Sequence, residues 1–111
     1  MIKDLIAGVF GKGVEKIDAE EVVEKDLKIV DLRNKKDYEE GHIPDSINIP
    51  YGEFKTDHPK LSEFDKDEEF CVACIAGISS QKITRLLNEA GYKNAKSLKG
   101  GIKSWSHDWV E

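Results

Sequence analysis

Residues 69–92 read EFCVACIAGISSQKITRLLNEAGY, and a change of period inside this stretch decides the fold. Phe70 to Ala73 are apolar without a break, the mark of a strand covered on both faces, as in parallel sheets. After Ser79 the period lengthens. Ile83, Leu86, Leu87 and Ala90 follow the i, i+3, i+4, i+7 spacing of one helical face, and Gly91 is placed at its C-cap. The segment therefore predicts a strand, a short loop and a helix, with Cys74 where the strand ends.

Working outward, the same alternation repeats. Toward the N-terminus, LKIVDLR (27–33) is a second nearly continuous apolar strand around Ile29, Val30 and Leu32. NKKDYEEGHIP (34–44) is a short helix that starts at Asn34 and is stopped by Gly41. SINIP (46–50) gives a strand over Ile47 to Ile49, ended by Pro50. KIDAEEVVEKD (16–26) reads as a short extended piece and a helix, with Asp18 as N-cap and Glu20 and Glu21 in the first turn. Tyr51 to Phe64 is an irregular connector with one helical turn. Toward the C-terminus, NAKSLKGG (94–101) supplies a last strand and turn. IKSWSHDW (102–109) predicts a final short helix with Ile102, Trp105 and Trp109 on one face, closing the core. Strands alternating with helices predict an α/β fold, a mainly parallel sheet with helices on both faces.

The chain has 111 residues, enough for one domain, which buries about two-thirds of its unfolded surface. Residues 1–13 form an N-terminal helix or arm with Ile2, Leu5, Ile6, Val9 and Phe10 on one face, either packed on the domain or docking a partner. Residues 14–111 form the domain itself. With 17 basic and 22 acidic residues and a net charge of −5, the chain lacks the basic stripe of a nucleic-acid binder. No apolar run reaches the roughly 18 residues of a membrane span, and the N-terminus is no convincing secretory signal, so a cytoplasmic location is expected. The acidic run Asp65 to Glu69 reads as a solvated turn before a strand.

Two cysteines do not make a disulfide scaffold. Cys71 and Cys74 spell C-x-x-C, but three residues of strand span ~10 Å and send the two side chains to opposite faces, which argues against a dithiol pair. Cys71 is expected in the core. His42, His58 and His107 show no ligand spacing, so neither metal nor cofactor is expected. Ser80 stands six positions after Cys74, where a C-x5-R phosphatase requires arginine.

Locally, Cys74 has two readings, a small apolar residue or a nucleophile. The loop from Ile75 through Ala76, Gly77 and Ile78 to Ser79 and Ser80 can turn successive N–H groups inward, with Gly77 supplying the unusual backbone angles. Together with a helix amino end, such a nest favours the thiolate. Capping that helix is the expected work of Ser79 or Ser80.

Three ordered pieces carry a resemblance to the rhodanese family of sulfurtransferase domains. IVDLRNKKDYEEGHIPDSINIP (29–50) resembles the family's D-V-R to N-I-P segment. CIAGISS (74–80) is similar to its active loop C-x-x-G-x-R-S. LLNEAGYKNAKSLKGGIKSW (86–105) is similar to its closing segment. The resemblance implies a single-domain sheet of about five strands. It implies that Cys74 takes up a sulfane sulfur as a persulfide and passes it to cyanide, a thiol or a protein acceptor. Asp31 and Arg33 would be a supporting pair, and His42 a turn residue. The family loop usually has arginine where Ser79 stands and often a cation where Ile75 stands. With no charge in the loop, a persulfide donor fits better than thiosulfate. A catalytically idle binding module of the same fold and a dithiol redox protein are the rival readings.

Overall fold

A computed structural model of the chain describes residues 13–111. Five short strands form one parallel sheet: β1 (Lys16–Ile17), β2 (Ile29–Asp31), β3 (Ile47–Asn48), β4 (Phe70–Ala73) and β5 (Ala95–Leu98). Their order across the sheet is β1-β5-β4-β2-β3. β4 is central and wholly buried, which is why its four residues are all apolar. It pairs Ile29 with Cys71 and Asp31 with Ala73 on one side, and Phe70 with Ala95 and Val72 with Ser97 on the other.

Three α-helices join the strands: α1 (Ala19–Lys25), α2 (Lys35–Glu40) and α3 (Ser79–Glu89). Each face of the sheet has its own core, because successive strand side chains point to opposite sides. On one face Phe70, Val72 and Cys74 pack with Ile83 and Leu87 of α3, with Leu61 of a 3-10 turn at Pro59–Glu63, and with Phe64, which follows that turn. On the other, Cys71 and Ala73 pack with Val22 of α1, Ile17, Leu98 and Ile102. Each fully buried side chain of the size of Leu87 or Phe70 stabilises the fold by about 1.5–3 kcal/mol.

Local signals account for most boundaries. The Asn34 side chain accepts a hydrogen bond from the Asp37 N–H at 2.8 Å and starts α2. Asp45 turns at φ +65°, a conformation aspartate tolerates. The acidic run before β4 is a solvated turn whose last member, Glu69, pairs with Lys96 at 2.6 Å and Lys25 at 3.2 Å. These contacts hold Glu69 below the usual carboxylate range, with the Lys96 hydrogen bond the largest cause.

Several expectations need correction. Leu86 is exposed on α3, and the core face there is Ile83, Thr84 and Leu87. The helix caps at Ala90, and Gly91 follows it at φ +106°. Asp18 occupies the N-cap of α1 without a side-chain capping bond. The connector holds two 3-10 turns, at Tyr51–Glu53 and Pro59–Glu63. No α-helix forms over Ile102 to Trp109; a 3-10 turn at Ile102–Ser104 takes its place. Ile102 is buried and Trp105 packs at the core edge, but Trp109 is 40% exposed and does not close the core. It covers Gly41 instead, where any side chain would overlap its indole. Apart from Gly13, the expected N-terminal arm lies outside the described residues.

Candidate active site

β4 delivers Cys74 to the carboxyl edge of the sheet, beside its neighbours β2 and β5. The chain then curls before α3 begins at Ser79. The curl depends on Gly77, at φ +86°, a conformation that L side chains rarely adopt. The outcome is a loop with its amides turned toward sulfur. The N–H groups of Gly77 and Ser80 both donate to Cys74 Sγ, each at 3.2 Å.

The loop is held from behind by the last turn of the domain. The Ile102 N–H donates to the Cys74 carbonyl at 2.8 Å, and the Lys103 N–H to the Ile75 carbonyl at 3.0 Å. With these carbonyls engaged outward, the loop amides face the sulfur. Gly101, at φ +71°, makes the approach possible. A Cβ there would overlap the Ile75 carbonyl and lie 2.6 Å from Gly77 N. The Gln81 side chain adds a bond to the Gly77 carbonyl at 2.7 Å.

The electrostatic result is a thiol shifted toward ionisation. Burial pushes the Cys74 thiol up, but the hydroxyl and N–H of Ser80 and the N–H groups of Gly77 and Ala76 together outweigh it. The net shift is downward. Among the described residues Cys71 has no such donors, and burial pushes its thiol well above the ordinary range. The two cysteines are both free and belong to opposite cores, so the C-x-x-C spelling does not make a dithiol pair.

Cys74 lies in a pocket of about 440 Å³ also lined by Leu32, Arg33, Tyr51, Ile75, Ile78 and Ser79. Ile75, Ile78 and Tyr51 form an exposed, largely apolar rim, at 56%, 75% and 42% exposure. Among the described residues Arg33 is the one charged side chain in this lining, and it is engaged elsewhere. Its Nε and Nη2 hold the fully buried Asp31 carboxylate at 2.9–3.2 Å, and Nη2 also donates to the Gly41 carbonyl at 2.7 Å. The Trp109 ring lies against the same guanidinium, 5.4 Å from its centroid. Asp31 and Arg33 thus form a strut that fixes the end of β2. Lys82 and Arg85 do not line the pocket. His42 stacks on Tyr38 with ring centroids 3.9 Å apart, and its Nδ1 lies 2.7 Å from the Tyr38 carbonyl oxygen.

The serines depart from expectation. Position N-cap of α3 is Ile78, and no side chain caps the helix. Ser79 is exposed at the pocket rim. Ser80 is fully buried, with its hydroxyl 2.7 Å from Ser97 Oγ. Ser97, Gly101 and Asn48 are site-building residues that sequence reasoning missed. Asn48 donates to the carbonyls of Asp31 and Arg33, at 3.0 and 2.9 Å. Its only signal was a polar residue in an otherwise apolar strand. Among the described residues no group of three or more His, Cys, Asp or Glu could hold a metal ion.

The chain is similar to known proteins in sequence and in fold. A protein from Coxiella burnetii named thiosulfate sulfurtransferase GlpE is 35% identical over 95 residues, covering 85% of this chain and 86% of that one. The crystal structure of a rhodanese-related protein from Thermoplasma volcanium superposes with a TM-score of 0.74 at 28% identity, covering 87% of this chain and 98% of the other. A rhodanese-like domain protein from Staphylococcus aureus gives 0.71 at 27% identity, over 86% and 94%. The model of the rhodanese-like domain matches residues 14–108, from before β1 to beyond the turn that braces the Cys74 loop. With that match spanning the sheet, the loop and its brace, the chain belongs to the family of rhodanese-like domains.

Proposed function

We propose that the chain is a sulfurtransferase that carries a sulfane sulfur on Cys74. The supporting observation is the pair of main-chain N–H groups on Cys74 Sγ at the mouth of a pocket. In the first step the Cys74 thiolate attacks the outer sulfur of a donor. A new S–S bond forms at Sγ, the donor's own bond to that sulfur breaks, and the leaving group departs with the electron pair. In the second step cyanide, a thiol or a protein cysteine attacks the outer sulfur and releases the Cys74 thiolate. The loop amides stabilise negative sulfur throughout, as oxyanion holes stabilise oxygen.

The donor class follows from charge. Thiosulfate would bring two negative charges and release sulfite, and among the described residues the pocket lining holds no free cation to offset them. A persulfide R–S–SH brings less charge, and its organic group finds the apolar rim of Ile75, Ile78 and Tyr51. The name of the Coxiella relative points toward thiosulfate. The chargeless loop points toward a persulfide, which is the donor we assign.

A second reading has one observation in its favour. The uncharged loop, with Arg33 occupied by Asp31, also suits a binding module without turnover. Steady-state transfer to cyanide separates the two. Parallel double-reciprocal lines, with higher kcat/KM for a small alkyl persulfide than for thiosulfate, are expected for the enzyme. No thiocyanate from any donor would overturn it in favour of the binding module.

A further inference from the structure

We propose that Gln81 is a positioning residue for the reaction at Cys74: its side-chain amide clamps the Gly77 carbonyl and so keeps the Gly77 N–H on the sulfur. Gln81 is the third residue of α3 and is half-buried. Its Nε2 donates to the Gly77 carbonyl at 2.7 Å, and the Gly77 N–H donates to Cys74 Sγ at 3.2 Å. Chemistry fixes the direction of the first bond, because a carbonyl oxygen only accepts. Gln81 stands outside the lining of the Cys74 pocket, so it reaches the sulfur through Gly77.

Gly77 needs holding. At φ +86° it lies in the left-handed region, yet without a Cβ a glycine populates positive and negative φ about equally. The residue itself does not select the arm that puts its N–H on the sulfur. The Ile102 and Lys103 amides brace the Cys74 and Ile75 carbonyls, and that brace stops short of the Gly77 carbonyl. Among the described residues Gln81 supplies the one hydrogen bond to that carbonyl. With both ends of Gly77 engaged, neither of its planar peptide units rotates without breaking a bond. The same bond does nothing for the helix start. A helix leaves its first N–H groups unpartnered, not the carbonyl of a residue ahead of it. In a capping box the third residue's side chain accepts from the N-cap N–H. Here it donates outward to the loop, and no side chain caps α3.

The inference rests on Cys74 being the reacting thiol, and it is tested on that thiol and on Gly77. Iodoacetamide alkylation of the whole protein is followed against pH, with tandem mass spectrometry assigning the adduct to Cys74. Gln81→Met keeps the length of the side chain and removes the donor; Gln81→Ala removes both. Each should move the midpoint of the profile upward and slow alkylation at neutral pH about threefold, the equivalent of about half a pH unit. Hydrogen exchange at the Gly77 amide, read by NMR, should quicken in both variants. Of the titratable side chains lining the pocket, Arg33 is held by Asp31 and Tyr51 lies at the rim, and neither variant touches them. An unmoved profile in Gln81→Met would overturn the proposal, even if Gln81→Ala or the urea midpoint moves, since packing or helix stability would then explain the residue. A moved profile with unchanged Gly77 exchange would overturn it as well. Either result would leave sulfur transfer by Cys74 standing, because that is read by thiocyanate formation.

Discussion

Cys71 and Cys74 sit three residues apart on one run of chain and are chemically opposite. Cys71 is inside β4, facing the α1 side, where none of the described residues donates to its sulfur and burial keeps it a thiol. Cys74 is one step past the strand, on the α3 side, where the chain has left the ladder and its amides are free to turn. Both are buried. What separates them is where the backbone hydrogen bonds go. In β4 the amides serve the neighbouring strands; in the loop the amides of Gly77 and Ser80 serve a sulfur, and the carbonyls of Cys74 and Ile75 are tied to the turn at Ile102–Ser104.

The largest effect that would break the comparison is exchange of the cysteines' roles. Cys74→Ser should lower sulfur transfer at least about a thousandfold, since it removes the proposed nucleophile. Cys71→Ala should retain most of the transfer and lose about 1 kcal/mol or more of stability from a small core void, read by urea unfolding. Equal losses of activity would remove the distinction.

Next in size is a change that touches neither cysteine. Gly101→Ala places a methyl group against the Ile75 carbonyl and Gly77 N, at a φ of +71°. The brace must then withdraw and the loop amides with it. The Cys74 thiol, now below its ordinary range, should shift upward by about one pH unit or more in alkylation rate profiles. Because the thiolate reacts, alkylation rises with pH, and the variant's rise should come later. A profile matching the parent's would mean the brace does not hold the loop.

The smallest effect sharpens the electrostatic side. Ser79→Arg adds a cation at the exposed rim and should raise thiosulfate kcat/KM about two- to fivefold, the scale of an exposed ion pair. An unchanged value would show that the loop's lack of charge does not limit thiosulfate.

Much of this was legible in order along the chain. The apolar run at Phe70 to Ala73, the helical period after Ser79, and Gly77 between them placed Cys74 at a strand end before a curling loop. Strand parity alone put Cys71 and Cys74 on opposite faces. What could not be read was contact between segments far apart in sequence. Ser80 looked like a helix cap because capping is local, whereas its partner Ser97 arrives only when β5 pairs with β4. Gly101 looked like a turn glycine, and its role follows from the loop packed against it. Trp109 fitted a helical face with Ile102 and Trp105. The chain instead runs extended there, as His42 and Val110 form an antiparallel bridge.

The most direct measurement is localisation of a transferred sulfur. The protein is incubated with a small alkyl persulfide, and fragmentation mass spectrometry reads each cysteine separately. One added sulfur on Cys74, removed by cyanide, with Cys71 unmodified, is the predicted result. An unmodified Cys74, or sulfur shared equally between the two, would contradict the claim that the loop amides make Cys74 a sulfur carrier.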